Sequence, residues 1–268
     1  MLDRLIHKWL RIPYTLHVRE YRKVKRAKAT ILFIHGIGNN GSAWDEVIKR
    51  LPDDVQVVTI DLLGFGESPK PHWARYDAKA QANSVLATYF TLGLSTKLII
   101  VGHSLGSLVA IEIAKRYPLL VSRLILCAPP LYLPDSGTKL PRNTDAILRR
   151  LYKQAEKYPD QFAQIAAFAT KYQLVNKSFS VTQENLPSYL TTLREAILNQ
   201  TSIQDIPRLK LPIDIIVGAF DPVVIGSNIL KLKKSHTNIS VKTIAAGHEV
   251  KAAFIPAVVS VINSVTRI

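Results

Sequence analysis

From residue 30 onward, short apolar runs alternate with stretches of helical period. The runs occupy 30–35 (TILFIH), 55–62 (VQVVTIDL), 97–102 (KLIIVG), 121–127 (VSRLILC), 211–218 (LPIDIIVG) and 239–244 (ISVKTI). Each is rich in β-branched residues and nearly continuous in apolar character. That is the pattern of strands buried on both faces of a parallel sheet, not of strands with one wet face. Between the runs, Ser42 is expected to cap a helix starting at Ala43, with Asp45 completing a capping box. Further helices are predicted over 76–92, over 104–117 (stopped by Pro118) and over 250–265. Strand–helix alternation of this kind predicts an α/β fold, a doubly wound and mostly parallel sheet. Residues 14–22 read as one further edge strand, without a turn signal for a hairpin.

The alternation breaks once, between 131 and 205. This stretch reads as three or four helices with no strand among them, and it holds eight of the chain's 21 aromatic residues. It is expected to be a helical cap over the C-terminal edge of the sheet, where open α/β sheets bind ligands. Residues 1–130 and 206–268 would then form the core and 131–205 the cap. Most of the cap's aromatics are expected to pack it onto the sheet, the remainder lining an apolar pocket.

The strongest chemical signal is Gly102-His103-Ser104-Leu105-Gly106, which follows a buried run and opens a helix. A strand-to-helix turn this tight excludes side chains on either side of its apex, hence the glycines. It pushes the Ser104 hydroxyl out above the sheet, at a helix N-terminus that favours developing negative charge. Three further segments accompany it in order: His35-Gly36-Ile37-Gly38, Asp61-Leu62-Leu63-Gly64-Phe65-Gly66-Glu67-Ser68, and Asp221 followed by Gly247-His248. With these motifs the chain resembles the α/β-hydrolase family over most of its length outside the proposed cap.

The resemblance implies a Ser…Asp…His triad in that chain order: Ser104 as nucleophile, Asp221 as orienting acid and His248 as general base. Asp135 is the rival for the acid, while Asp205 and Asp214 fit the spacing less well. Two backbone N–H groups, of Ile37 and Leu105, are implied as the oxyanion hole. The Asp61–Ser68 segment is given no chemistry; its glycines are expected to shape a turn, with Glu67 and Ser68 satisfying loop backbone groups. The serine at the elbow points to acyl transfer to water, with hydrolysis of a small to medium carboxylic ester favoured. Thioester or carbon–carbon (diketone) hydrolysis is the alternative, the latter drawing on a cap cation such as Arg142, Arg149, Arg150 or Arg194. A non-catalytic binder of the same fold is the alternative from another class.

Composition narrows the field further. The single cysteine, Cys127, excludes an intramolecular disulfide and a cysteine-built metal site, and no cofactor motif is present. No apolar stretch reaches the roughly 18 residues of a membrane span, and no signal-peptide pattern is seen, so a cytoplasmic protein is expected. Net charge is +15, and residues 1–30 hold nine Lys/Arg against two acids. No nucleic-acid-binding motif accompanies this charge, so nucleic acid is not an expected partner. Instead, Leu2, Leu5, Ile6, Trp9 and Leu10 fall on one helical face of residues 1–11, with Asp3, Arg4, His7, Lys8 and Arg11 on the other. That face is expected to dock on the protein's own sheet; the alternative is weak peripheral contact with an anionic membrane, with Arg19 to Lys28 extending the basic patch.

Overall fold

The computed structural model describes residues 2–27, 29–133 and 143–266. Its strands are β1 (Val18–Arg22), β2 (Ala29–Ile34), β3 (Gln56–Ile60), β4 (Lys97–His103), β5 (Val121–Cys127), β6 (Ile213–Gly218) and β7 (Ile239–Ile244). They form one sheet of order β1-β3-β2-β4-β5-β6-β7. β2 to β7 are parallel, whereas β1 closes the edge antiparallel to β3, with Val18 opposite Ile60 and Arg22 opposite Val57. Every predicted apolar run is a strand, with ends shifted by no more than about two residues.

The helices are α1 (Asp45–Ile48), α2 (Ala78–Thr91), α3 (Leu105–Arg116), α4 (Asn143–Lys157), α5 (Pro159–Lys171), α6 (Leu186–Thr192), α7 (Ser202–Asp205), α8 (Gly226–Ser235) and α9 (Phe254–Thr266). Side-chain alternation along the central strands explains how they are shared between two cores. Leu32 and Ile34 of β2 and Leu98 and Ile100 of β4 join Val85, Leu108, Ile111 and Ile229, and so bury α2, α3 and α8. Their neighbours Ile31, Phe33, Ile99 and Val101 face the other way, onto Trp44, Val47, Phe254 and Val258 of the α1 and α9 layer. Continuous apolar strands therefore mean a sheet covered on both faces, and the fold is doubly wound.

Two helix starts differ from expectation. Ser42 is not a cap: Asn40 caps a 3₁₀ turn, Gly41–Trp44, that leads into α1. Its side-chain oxygen takes both the Ser42 N–H (3.0 Å) and the Ser42 hydroxyl (2.7 Å), which tightens the turn. α9 starts at Phe254, not at 250, because Ala252 sits at φ +46°, which interrupts a right-handed helix.

The first helix departs more sharply. Residues 2–9 are helical, with a π-helical turn over Arg4–Trp9, but of their apolar face only Ile6 is partly buried. Leu2, Leu5, Trp9 and Leu10 are 49–74% exposed. The polar face makes the attachment instead: the Tyr14 hydroxyl donates to Asp3 (2.9 Å), His7 stacks on the Tyr14 ring at 3.6 Å, and Arg4 lies 3.3 Å from His72. The basic patch is also shorter than the sequence suggests. β1 runs away from this helix down the sheet edge, so Lys23, Lys25 and Arg26 lie beyond its far end.

Between β5 and β6 the described elements are all helical, joined by loops: α4, α5, α6, a π-helical turn at Leu193–Leu198, α7 and a 3₁₀ turn at Ile206–Arg208. Of the eight aromatics expected there, Tyr132, Tyr152, Phe162, Phe179 and Tyr189 pack into or against the α2/α3-side core. Tyr158, Phe168 and Tyr172 are 41–57% exposed, on the side that α5 turns to water.

Candidate active site

The parallel strands all end at one edge of the sheet, and the four sequence motifs sit immediately beyond those ends. Ser104 joins β4 to α3 with φ +49° and ψ −115°, a conformation that costs a non-glycine residue about 1–3 kcal/mol. The surroundings hold it there. Ser104 N–H donates to the Cys127 carbonyl (2.9 Å), Ser107 N–H donates to the Ser104 carbonyl (2.9 Å), and the Ser107 hydroxyl donates to the Gly102 carbonyl (2.8 Å). A Cβ on Gly102 would overlap the Gly106 backbone, and one on Gly106 would overlap the Ile34 carbonyl. The glycine pair is thus what lets α3 begin hard against β2 and β4.

Ser104, His248 and Asp221 form one hydrogen-bonded line. The Ser104 hydroxyl lies 3.1 Å from His248 Nε2, and His248 Nδ1 lies 2.8 Å from Asp221 Oδ2. The other Asp221 oxygen accepts the N–H groups of Val223 (2.8 Å) and Val224 (3.1 Å). Burial by itself would raise the Asp221 pKa. The His248 hydrogen bond and charge, with the two backbone donors, outweigh it and hold the group below the usual carboxylate range. Asp221 is therefore an anion with its side chain 1% exposed, beside a histidine 17% exposed. The weaker acid candidates are committed elsewhere: Asp205 pairs with Lys115 (2.9 Å) and Asp214 with Arg123 (2.5 Å). Asp135 and Arg142 lie outside the described residues.

Ile37 and Leu105 meet the same place. A Cβ on Gly36 would come within 2.7 Å of His103 Nδ1 and 3.3 Å of the Ser104 Cβ, so the loop carrying Ile37 runs against the serine. Among the described residues, neither the Ile37 nor the Leu105 backbone N–H has a hydrogen-bond acceptor. Leu105 is the first residue of α3, where helix geometry leaves N–H groups unpaired and favours negative charge.

Several supporting residues were not singled out by sequence. His103 Nε2 donates to the His248 carbonyl at 2.9 Å and so fixes the loop bearing that histidine. Full burial, with the nearby His248 charge, lowers its pKa to about 3, so it is a neutral donor. His35 links two motifs, its Nδ1–H donating to the Gly36 carbonyl (2.7 Å) while Nε2 accepts the Leu62 N–H (2.8 Å). Burial lowers its pKa to about 4. Both histidines lie inside motifs that the sequence flags, but only their ring contacts reveal the roles. In the Asp61–Ser68 turn the loop backbone is satisfied by Asp61, which accepts the N–H groups of Gly41 (2.7 Å) and Glu67 (2.9 Å). Ser68 acts as expected, taking the His17 N–H at 2.9 Å. Glu67 does not; its carboxylate reaches out 3.7 Å from Arg19.

The helical segment closes over these loops from above. Ser180 N–H donates to the Gly38 carbonyl (2.7 Å), the Ser178 hydroxyl donates to Asn39 (2.7 Å), and Asn176 N–H donates to Glu249 (3.3 Å). Gly38 has φ +74°, and a side chain there would strike the Phe179 ring. Arg194, one of the cap cations considered for diketone chemistry, pairs with Glu195 at 2.7 Å. No cluster of three His, Cys, Asp or Glu residues that could hold a metal occurs among the described residues.

Comparison with known proteins follows the same lines. An uncharacterised Mycobacterium tuberculosis protein is 42% identical over 120 residues, 42% of this chain and 35% of that protein. A probable lysophospholipase of Arabidopsis thaliana, BODYGUARD 4, is 34% identical over 120 residues, 44% of this chain and 28% of that protein. The matches thus span about a third of these relatives' lengths. A Thermogutta terrifontis esterase superposes with a TM-score of 0.71 at 22% identity, covering 90% of both chains. A family model described as alpha/beta hydrolase fold matches residues 29–251. With a parallel sheet, a strained serine at its edge and this match over most of its length, the chain belongs to the α/β-hydrolase family.

Proposed function

We propose that the protein is a serine hydrolase that cleaves carboxylic esters of small to medium acyl chains through an acyl-enzyme. The observation that carries this reading is the unbroken Ser104–His248–Asp221 line beside two unpaired backbone donors. His248 takes the Ser104 proton as the hydroxyl oxygen attacks the ester carbonyl, and the developing oxyanion is met by the N–H groups of Ile37 and Leu105. Collapse of the tetrahedral intermediate expels the alcohol, which receives the proton from His248. Water, activated by the same imidazole, then attacks the acyl group and frees Ser104. Asp221 keeps Nδ1 protonated and stabilises the imidazolium, while His103 positions the loop. The helices between β5 and β6 act as a cap, with Phe179 and Tyr189 over Gly38 bounding the acyl side.

A fluorophosphonate probe should label wild-type protein and not Ser104→Ala. In an ester panel of rising acyl length, with a lysophospholipid and a diketone included, esters below about twelve carbons should turn over fastest. By comparison with other triads, Ser104→Ala and His248→Ala should lose up to about 10⁶-fold in turnover, and Asp221→Asn at most about 10⁴-fold. Ester turnover in Ser104→Ala within tenfold of wild type would overturn the assignment.

A further inference from the structure

We propose that the helix at residues 2–10, with the groove beside it, docks the protein on an anionic phospholipid surface. Most of the apolar face of this helix is presented: Leu2 is 68%, Leu5 49%, Trp9 74% and Leu10 62% exposed, with only Ile6 half-buried. Such a face is costly in water unless something covers it. The helix cannot simply roll over to bury it, because the opposite face is tied down by the Asp3–Tyr14 hydrogen bonds, the His7–Tyr14 stack and the Arg4–His72 contact.

Charge identifies the partner. A groove of about 460 Å³ runs between this helix and the start of α2, and Lys8, Arg11, Arg75 and Lys79 line it together with Trp73. Its one acid, Asp77, is occupied, since it caps α2 through the Ala80 N–H (2.7 Å) and lies 3.3 Å from Arg75. Arg75 is thus paired to Asp77, whereas Lys8, Arg11 and Lys79 leave the groove an excess of positive charge. Exposed leucines and a tryptophan beside it match an interfacial helix whose apolar residues enter the acyl boundary while phosphate headgroups fill the basic groove.

The placement also suits delivery to the active site. His72, which meets Arg4 of the helix, and Trp73, which packs on Tyr14, belong to the loop that follows β3. That loop is tied to the helical segment above the site by Lys70–Glu184 (3.6 Å) and by the Ser188 hydroxyl donating to Tyr76 (3.0 Å). Docking would therefore hold the membrane at the same sheet edge as Ser104.

Co-sedimentation with phosphatidylcholine vesicles, with and without phosphatidylglycerol, tests the inference. Wild-type protein should pellet with the anionic vesicles at low salt, be released by high salt, and show a blue shift of tryptophan emission. Leu5→Ser/Trp9→Ser should weaken binding roughly a hundredfold, and Lys8→Gln/Arg11→Gln about fivefold per charge removed. Both variants should unfold at the wild-type temperature, since none of the four side chains is buried. The proposal is overturned if wild-type protein stays in the supernatant with anionic vesicles at low salt, or if Leu5→Ser/Trp9→Ser binds as wild type does. It is equally overturned if sedimentation velocity finds a dimer that this variant abolishes, because a second copy would then cover the face.

Discussion

Replacing Ser104 by glycine and by alanine separates the chemistry of this position from its backbone strain. Both variants lose the hydroxyl, so both lose the hydrogen bond to His248 and, on the reading above, all hydrolysis. They differ only in Cβ. At φ +49° and ψ −115° a Cβ is strained by about 1–3 kcal/mol, whereas glycine adopts the mirror region freely. Against this, glycine loses about 0.5–1 kcal/mol more backbone entropy on folding than alanine. The difference leaves Ser104→Gly at least as stable as Ser104→Ala, by up to about 2.5 kcal/mol, against the usual order. For a chain of this size that is a shift of up to roughly 5 °C in Tm. Urea unfolding followed by circular dichroism at fixed pH measures both variants on the same scale. If the alanine variant is the more stable, the elbow is not strained, and the account of why glycines flank it loses its basis.

Three other expectations can be checked with the same assay and simple substitutions. Gly106→Ala sets a Cβ against backbone carbonyls that no rotamer change can move, so a loss of at least about 3 kcal/mol or insoluble protein is expected. Gly247→Ala has no atom within 4 Å and should stay within about 0.5 kcal/mol of wild type; equal behaviour of the two variants would refute the packing argument. Acid should destabilise the fold through His35 and His103. Their folded pKa values, about 4 and about 3, lie below the ordinary imidazole value of 6.5, so the unfolded chain binds protons first as pH falls. By linkage the two together should remove roughly 4 kcal/mol between about pH 7 and pH 5. Stability that stays flat over that interval would show that these rings are not held neutral.

Much of this protein was determined locally and so could be read from the chain. Strands covered on both faces must be apolar throughout, which is why six runs such as 97–102 and 121–127 announced a parallel sheet and its order of elements. The elbow was legible for a similar reason: a turn that brings α3 against the Ile34 carbonyl admits only glycine at 102 and 106. The meeting of Ser104, Asp221 and His248 was implied by the motifs' resemblance to the family, each lying within a few residues of a strand end on one edge. What the sequence left open depends on distant partners. His103 is only a letter between two motif residues until the fold carries the His248 carbonyl to its ring. Glu67 was expected to satisfy its loop backbone; packing instead placed Asp61 at the Gly41 N–H and left Glu67 in solvent. Hydrophobic periodicity likewise located the first helix and its apolar face, but not its orientation. Polar contacts from Asp3, Arg4 and His7 to Tyr14 and His72 set that, and these residues are neighbours only in the folded chain. Apolar pattern fixes what must leave water, whereas hydrogen bonds, stacking and charge between residues far apart in sequence decide against what it is held.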